Sequence, residues 1–167
     1  IGTNSGNEYP ITVLHSPAGE AHGIMHFPFD TAALESQLKD LEIAILRSAT
    51  EHRRVPSARE QAAQRFGRAL FDALFSGEIL RLYDSRTYEV KQQERGLRLK
   101  LRIRPPALAA LPWEFMYDSR QAEFVCLSSN TPIVRYLELP QAPQTPTVTP
   151  PLRILGMIAN PSNAPAL

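Results

Sequence analysis

The sequence predicts an α/β fold in which a strand-helix region leads into a parallel sheet covered by helices. Three observations predict it. Residues 31–51 and 57–77 repeat apolar side chains at helical spacing. Residues 97–104 alternate strictly: Leu97, Leu99, Leu101 and Ile103 face one way, and Arg98, Lys100, Arg102 and Arg104 the other. Residues 152–159 (LRILGMIA) are almost continuously apolar, the mark of a strand buried on both faces.

Taken in order, residues 1–8 read as a flexible lead-in. Ile11-Thr12-Val13-Leu14 and Gly23 to Phe27 read as two strands of a hairpin, joined by the turn residues Pro17-Ala18-Gly19-Glu20. Asp30 or Thr31 can cap a helix over about 31–51, with Leu34, Leu38, Leu41 and Ile45 on its apolar face. Val55-Pro56 breaks it. Ser57 and Glu60 form a capping box for a second helix carrying Ala62, Phe66, Ala69, Leu70, Ala73 and Leu74. Gly77 stops that helix. Gly67, inside it, costs about 1 kcal/mol against Ala and is expected where another helix packs closely. A third, less regular helix uses Ile79, Leu82, Tyr83 and Val90 and ends at Gly96.

The strand at 97–104 stops at Pro105-Pro106, since proline cannot donate to a ladder. Ala107 to Leu111 allows one helical turn, closed by Pro112. Trp113-Glu114-Phe115-Met116-Tyr117 then places one carboxylate among apolar side chains, and a buried carboxylate needs a partner. Arg135, in the strand-like run Pro132 to Leu137, is the candidate. Asp118 to Ala122 is turn-like between Phe115-Met116-Tyr117 and Phe124-Val125-Cys126-Leu127, a second hairpin. The region 9–139 thus precedes a Pro-rich connector, 140–151, which holds five prolines. Residues 152–167 supply the first core strand and the loop after it, so the domain is expected to be incomplete.

Composition excludes several classes. The 167 residues carry a net charge of +1, which gives no polyanion-binding signal. No apolar run approaches the roughly 18 residues of a membrane span. One Cys permits neither an internal disulfide nor a multi-cysteine metal site. Cys126, flanked by Val125 and Leu127, reads as a small core residue. His15, His22, His26 and His52 make no metal pattern, and there is no glycine-rich phosphate loop. The basic face of Arg98, Lys100, Arg102 and Arg104 lacks interleaved aromatics. It reads as a solvated face or one paired with acidic residues of a neighbour; nucleic-acid binding is the competing reading. Glu114 with Arg135 reads as a structural pair. Asn160 and Ser162 lie just beyond the carboxyl end of the 152–159 strand, where α/β sheets place ligands; an ordinary turn before a helix cap is the bland alternative.

The ordered series Gly96 to Leu101, Leu111-Pro112-Trp113-Glu114-Phe115-Met116-Tyr117, Thr131 to Leu137 and Pro151 to Leu155 resembles the N-terminal part of a CHAT domain. Phe66-Gly67, Leu70-Phe71 and Leu74-Phe75 fit the same resemblance, which spans about residues 9–161. It implies a caspase-like fold, a cytoplasmic setting, frequent attachment to TPR repeats, and a parent cysteine endopeptidase that uses no cofactor. The family's His and Cys pair belongs to the later half of such domains. No residue of this chain matches it, so no catalytic residue is expected here and the isolated chain is expected to be inactive. The resemblance places Asn160 and Ser162 at the rim of a substrate pocket. The partners it implies are a protein or peptide substrate, the remaining half of the same parent protein, and a regulatory protein; nucleic acid and membrane are not expected. An inactive, peptidase-like interaction module is the alternative.

Overall fold

The computed structural model describes residues 1–2, 6–48, 58–128 and 130–136, with the side chains of 44–48 and 58–59 left aside. It mixes helices with small sheets, so the α/β class stands at that level. The strand expected at 152–159 lies outside the described residues, as do the connector at 140–151, Ser57 of the capping box, Asn160 and Ser162.

The first layer is a hairpin of β1 (Glu8–Val13) and β2 (Ala21–His26), paired antiparallel with Ile11 opposite Gly23. Ile11, Ala21 and Met25 are buried, while Glu8, Thr12, His22, Ile24 and His26 face out. That alternation is the period-two pattern of a half-buried strand. Asp30 caps the helix that follows, α1 (Thr31–Ser48). Its carboxylate accepts the Ala33 N–H at 2.7 Å and its carbonyl accepts the Leu34 N–H at 2.9 Å. The Ala33 amide, which the helix leaves without a partner, is thereby satisfied, and the Leu34 bond is the first of the helix's own series.

The helix α2 (Ala58–Leu74) runs through the centre. Ala62, Phe66, Leu70 and Leu74 are buried at spacings of four, and Phe71 and Phe75 widen the stripe. Phe66 stacks on Phe29, with ring centroids 5.6 Å apart. Gly77, expected to stop α2, does have left-handed backbone (φ 53°), and it also opens α3 (Gly77–Gln92). Helix α3 is more regular than expected: Ile79, Tyr83, Thr87 and Val90 are buried on one side. It ends earlier than Gly96. Arg95 N–H reaches back to the Val90 carbonyl at 2.8 Å, and the left-handed residue at this end is Glu94.

The strand predicted over 97–104 contracts to β3 (Leu99–Leu101), and its partner is β6 (Ile133–Arg135), paired in parallel. The ladder reaches further than the strand itself: Leu97 N–H donates to Asn130 O at 2.7 Å and Tyr136 N–H to Leu101 O at 2.8 Å. Ile1 lies alongside, its amine donating to Arg102 O at 2.7 Å and its carbonyl accepting the Arg104 N–H at 3.2 Å. Between β3 and β6 the chain makes the short helix α4 (Pro106–Ala109), a 3-10 turn at Trp113–Phe115 and a two-residue hairpin. That hairpin pairs β4 (Tyr117–Asp118) with β5 (Glu123–Phe124), as predicted but shorter. A second 3-10 turn covers Val125–Leu127.

Trp113 and Met116 are fully buried. The indole N–H donates to Leu108 O at 2.7 Å, which satisfies its one polar atom inside the core. Gly67 makes this packing possible, though its neighbour is not the expected helix. A methyl group built on Gly67 would overlap the Phe115 carbonyl oxygen, lie 2.9 Å from the carbonyl carbon and 3.1 Å from Tyr117 Cβ. The backbone of 115–117 therefore lies directly on α2, and only glycine leaves room for it. Backbone cannot swing aside as a side-chain tip can. Gly67→Ala is expected to destabilise the fold by about 3 kcal/mol, the upper range for overpacking. Urea unfolding read by Trp113 fluorescence checks this; a cost below about 1 kcal/mol would mean that the contact relaxes freely.

Candidate functional site

The structure brings Glu114 and Arg135 together as predicted, 21 residues apart in sequence. Arg135 Nε donates to Glu114 Oε1 at 2.7 Å and Nη2 to Oε2 at 2.6 Å, a two-pronged pair. The same guanidinium donates from Nη1 to Ala109 O and from Nη2 to Leu111 O, both at 2.8 Å. One arginine thus fixes β6 to the end of α4 and to the turn at Trp113. The pair is not buried: the side chains of Glu114 and Arg135 are 48% and 39% exposed. Trp113 and Met116 take the inward positions of the tight turn, so Glu114 between them is directed outward. Arg135's hydrogen bond holds the Glu114 carboxyl below the usual carboxylate range, outweighing the opposing effect of partial burial.

A second arginine cluster, not anticipated from the sequence, lies at the tip of the β4–β5 hairpin. Asp118 is almost fully buried. Its carboxylate accepts Arg120 Nε at 3.0 Å, Arg120 Nη2 at 2.8 Å, the Arg120 backbone N–H at 2.9 Å and Gln121 Nε2 at 3.2 Å. Burial by itself would raise the Asp118 pKa; the side-chain and backbone hydrogen bonds from Arg120 overcome it and lower it. Arg120 Nη1 reaches Asp84 on α3 at 2.8 Å, and its guanidinium carbon sits 5.4 Å from the centre of the Phe71 ring. The hairpin is thereby tied to both α2 and α3. An Asp two residues before an Arg in a turn was the available signal. Asp84, 36 residues away from Arg120, could not be paired with it from sequence.

Cys126 was expected in the core and is exposed. A 3-10 turn has about three residues per turn, so one of the three residues 125–127 takes the core position. Val125 takes it, while Leu127 is 73% exposed. The remaining burial of the thiol pushes its pKa up, and the Glu114 carboxylate adds to the rise. A nucleophilic cysteine needs the opposite shift.

A groove of about 400 Å³ lies between β2 and α2, lined by Ile24, His26, Pro28, Ala69, Asp72, Ala73 and Ser76. It holds a serine, a histidine and an aspartate, but not as a relay. His26 Nδ1 lies 3.5 Å from Glu8 Oε1, and Asp72 Oδ2 accepts Arg68 Nε at 3.3 Å. Both groups are turned to other partners, and no hydrogen bond activates Ser76 among the described residues. No cluster of His, Cys, Asp and Glu suited to a metal ion occurs among the described residues. No helix among them is long and apolar enough to cross a membrane. Comparison with known protein families, with characterised proteins and with solved structures gives no match.

The geometry assigns Arg135 more weight than Glu114. An exposed ion pair contributes less than about 1 kcal/mol, whereas two carbonyls left without their charged donor cost about 2 kcal/mol together. Glu114→Gln should therefore cost under about 1 kcal/mol and Arg135→Ala about 2 kcal/mol in urea unfolding. Because the Glu114 pKa is lowered in the folded state, its share is complete above the ordinary glutamate range, about pH 4.3. That share is lost as pH falls through the lower folded value. Glu114→Gln and wild type should thus converge in stability at low pH, whereas a gap that widened on acidification would contradict the assignment.

Proposed function

We propose that this chain is the N-terminal, non-catalytic portion of a CHAT-like, caspase-like cysteine peptidase of the cytoplasm, and that it scaffolds the peptidase sheet and docks a regulatory partner. The observation that carries the reading is the Arg135 clasp. It gathers the motif residues Leu111, Glu114 and Arg135 into one bracket that holds a parallel strand pair, β3 and β6, against the turn at Trp113. Parallel pairing is the arrangement on which a helix-covered sheet is extended. The chemistry of the described residues agrees with a supporting role. Cys126 is tuned away from thiolate, and the His and Asp of the β2–α2 groove are engaged elsewhere.

In this reading the attacking thiolate, the histidine that activates it and the amides that stabilise the oxyanion are carried by the remaining half of the parent protein. The substrate is a protein or peptide. Asn160 and Ser162 are assigned to the rim of its pocket.

The test uses the full-length parent protein and a peptidyl acyloxymethyl ketone, which alkylates activated cysteines. The expected result is labelling of one cysteine outside residues 1–167, unaffected by Cys126→Ala, with no labelling of the isolated chain. Labelling of Cys126 would overturn the non-catalytic assignment. A full-length protein with no labelled cysteine would replace the peptidase by an inactive, peptidase-like interaction module.

A further inference from the structure

The parallel register of β3 and β6 builds a surface that the alternation of β3 alone does not show. Leu99 is opposite Ile133, and both pack against the core. Lys100 is opposite Val134, and both therefore face away from it. Continuing the register puts Arg98 beside Pro132 and Arg102 beside Tyr136. The outward face thus carries two parallel rows. One is basic, Arg98, Lys100 and Arg102; the other is apolar, Pro132, Val134 and Tyr136. Arg98, Lys100 and Pro132 are exposed, and Val134 and Tyr136 are 42% and 49% exposed. Among the described residues, neither Arg98 nor Lys100 takes part in an ion pair.

We propose that this face docks a protein partner through an amphipathic helix with an acidic flank. A sheet face is normally covered by a helix or another sheet. Successive residues of one row lie about 6.6 Å apart, two rises of a parallel strand. Carboxylates at i and i+4 of a helix lie about 6 Å apart along its axis, so they match Arg98 and Lys100. The helix's apolar stripe then covers Pro132, Val134 and Tyr136. Charge fixes the register and the sign of the partner, and the apolar row supplies the area removed from water.

The same observations disfavour polyanions. Nucleic-acid grooves interleave several rings with many cations; here there is one ring, Tyr136, and the rest of the apolar row is Pro132 and Val134. An anionic membrane needs more basic side chains than a row of three provides. The proposal deepens the regulatory-partner part of the proposed function but does not depend on the peptidase. A failed cysteine-labelling experiment leaves it standing, and its own failure leaves the peptidase reading standing.

The test is selection of a phage-displayed library of helical peptides, about five turns long, on the 167-residue chain. Enriched peptides should carry Glu or Asp at i and i+4 beside an apolar stripe. Synthetic copies should bind at least tenfold more weakly to the double variant Arg98→Glu/Lys100→Glu. They should also lose affinity for Val134→Thr/Tyr136→Thr, which keeps strand-compatible residues in place. Circular dichroism checks that both variants stay folded. No enrichment, enriched peptides without acidic pairs, or affinity untouched by charge reversal would overturn the proposal. Tighter, charge-dependent binding of a single-stranded oligonucleotide or of phosphatidylserine vesicles would reassign the face to a polyanion. Self-association abolished by Arg98→Glu/Lys100→Glu would reassign it to a second copy.

Discussion

The structure turns on one close approach, the backbone of Phe115 lying on helix α2 at Gly67. With no Cβ in the way, the 3-10 turn at Trp113 settles onto the helix. Its side chains then divide: Trp113 and Met116 go into the core and Glu114 goes outward. Burying two such large side chains contributes several kcal/mol, at roughly 1.5–3 kcal/mol each. The indole adds little cost, because Leu108 takes its N–H. Every later contact of this segment follows from that seating. Glu114 points where Arg135 can reach it, and Asp118 arrives beside α3.

Two arginines then pin the ends of the segment. Arg135 holds the start through Glu114 and two carbonyls; Arg120 holds the end through Asp118 and Asp84. The planar, forked guanidinium suits both tasks, since it can serve several acceptors in fixed directions at once. Their balance of energies differs. Asp118 is almost fully buried, so losing Arg120 would strand a desolvated carboxylate. Glu114 is half in water, so Arg135 matters more to the carbonyls than to the ion pair. The dominant effect at each end is the satisfaction of oxygen atoms, with charge attraction second.

How much of this the sequence reveals depends on the range of the interaction. The β1–β2 hairpin, the Asp30 cap, the stripe on α2 and the β4–β5 hairpin are legible because periodicity and turn chemistry act over a few residues. The Glu114 and Arg135 partnership was legible from charge alone: a carboxylate in an apolar run needs a cation. Its exposure was not, because the direction of Glu114 is set by the 3-10 turn. Cys126 misleads for the same reason, since a strand would have buried a residue that the tight turn pushes out. The pairing of β3 with β6 is parallel and spans 34 residues between partners, so no local signal announces it. The two-row surface that results was therefore visible only as a basic strand face. Gly67 was recognised as a packing glycine, but the identity of what packs there is tertiary information.

Native-state hydrogen exchange of the 167-residue chain tests most directly whether the α2 seating organises the fold. The slowest amides, opening only with global unfolding, should be those of Leu70, Phe71 and Leu74 in α2 together with Met116 and Val125. Met116 and Val125 report the seated segment, since Met116 N–H donates to Trp113 O and Val125 N–H to Met116 O. If the Met116 and Val125 amides exchange at rates typical of fraying loops while α2 and α3 stay protected, the segment is an accessory to the core and the account is wrong.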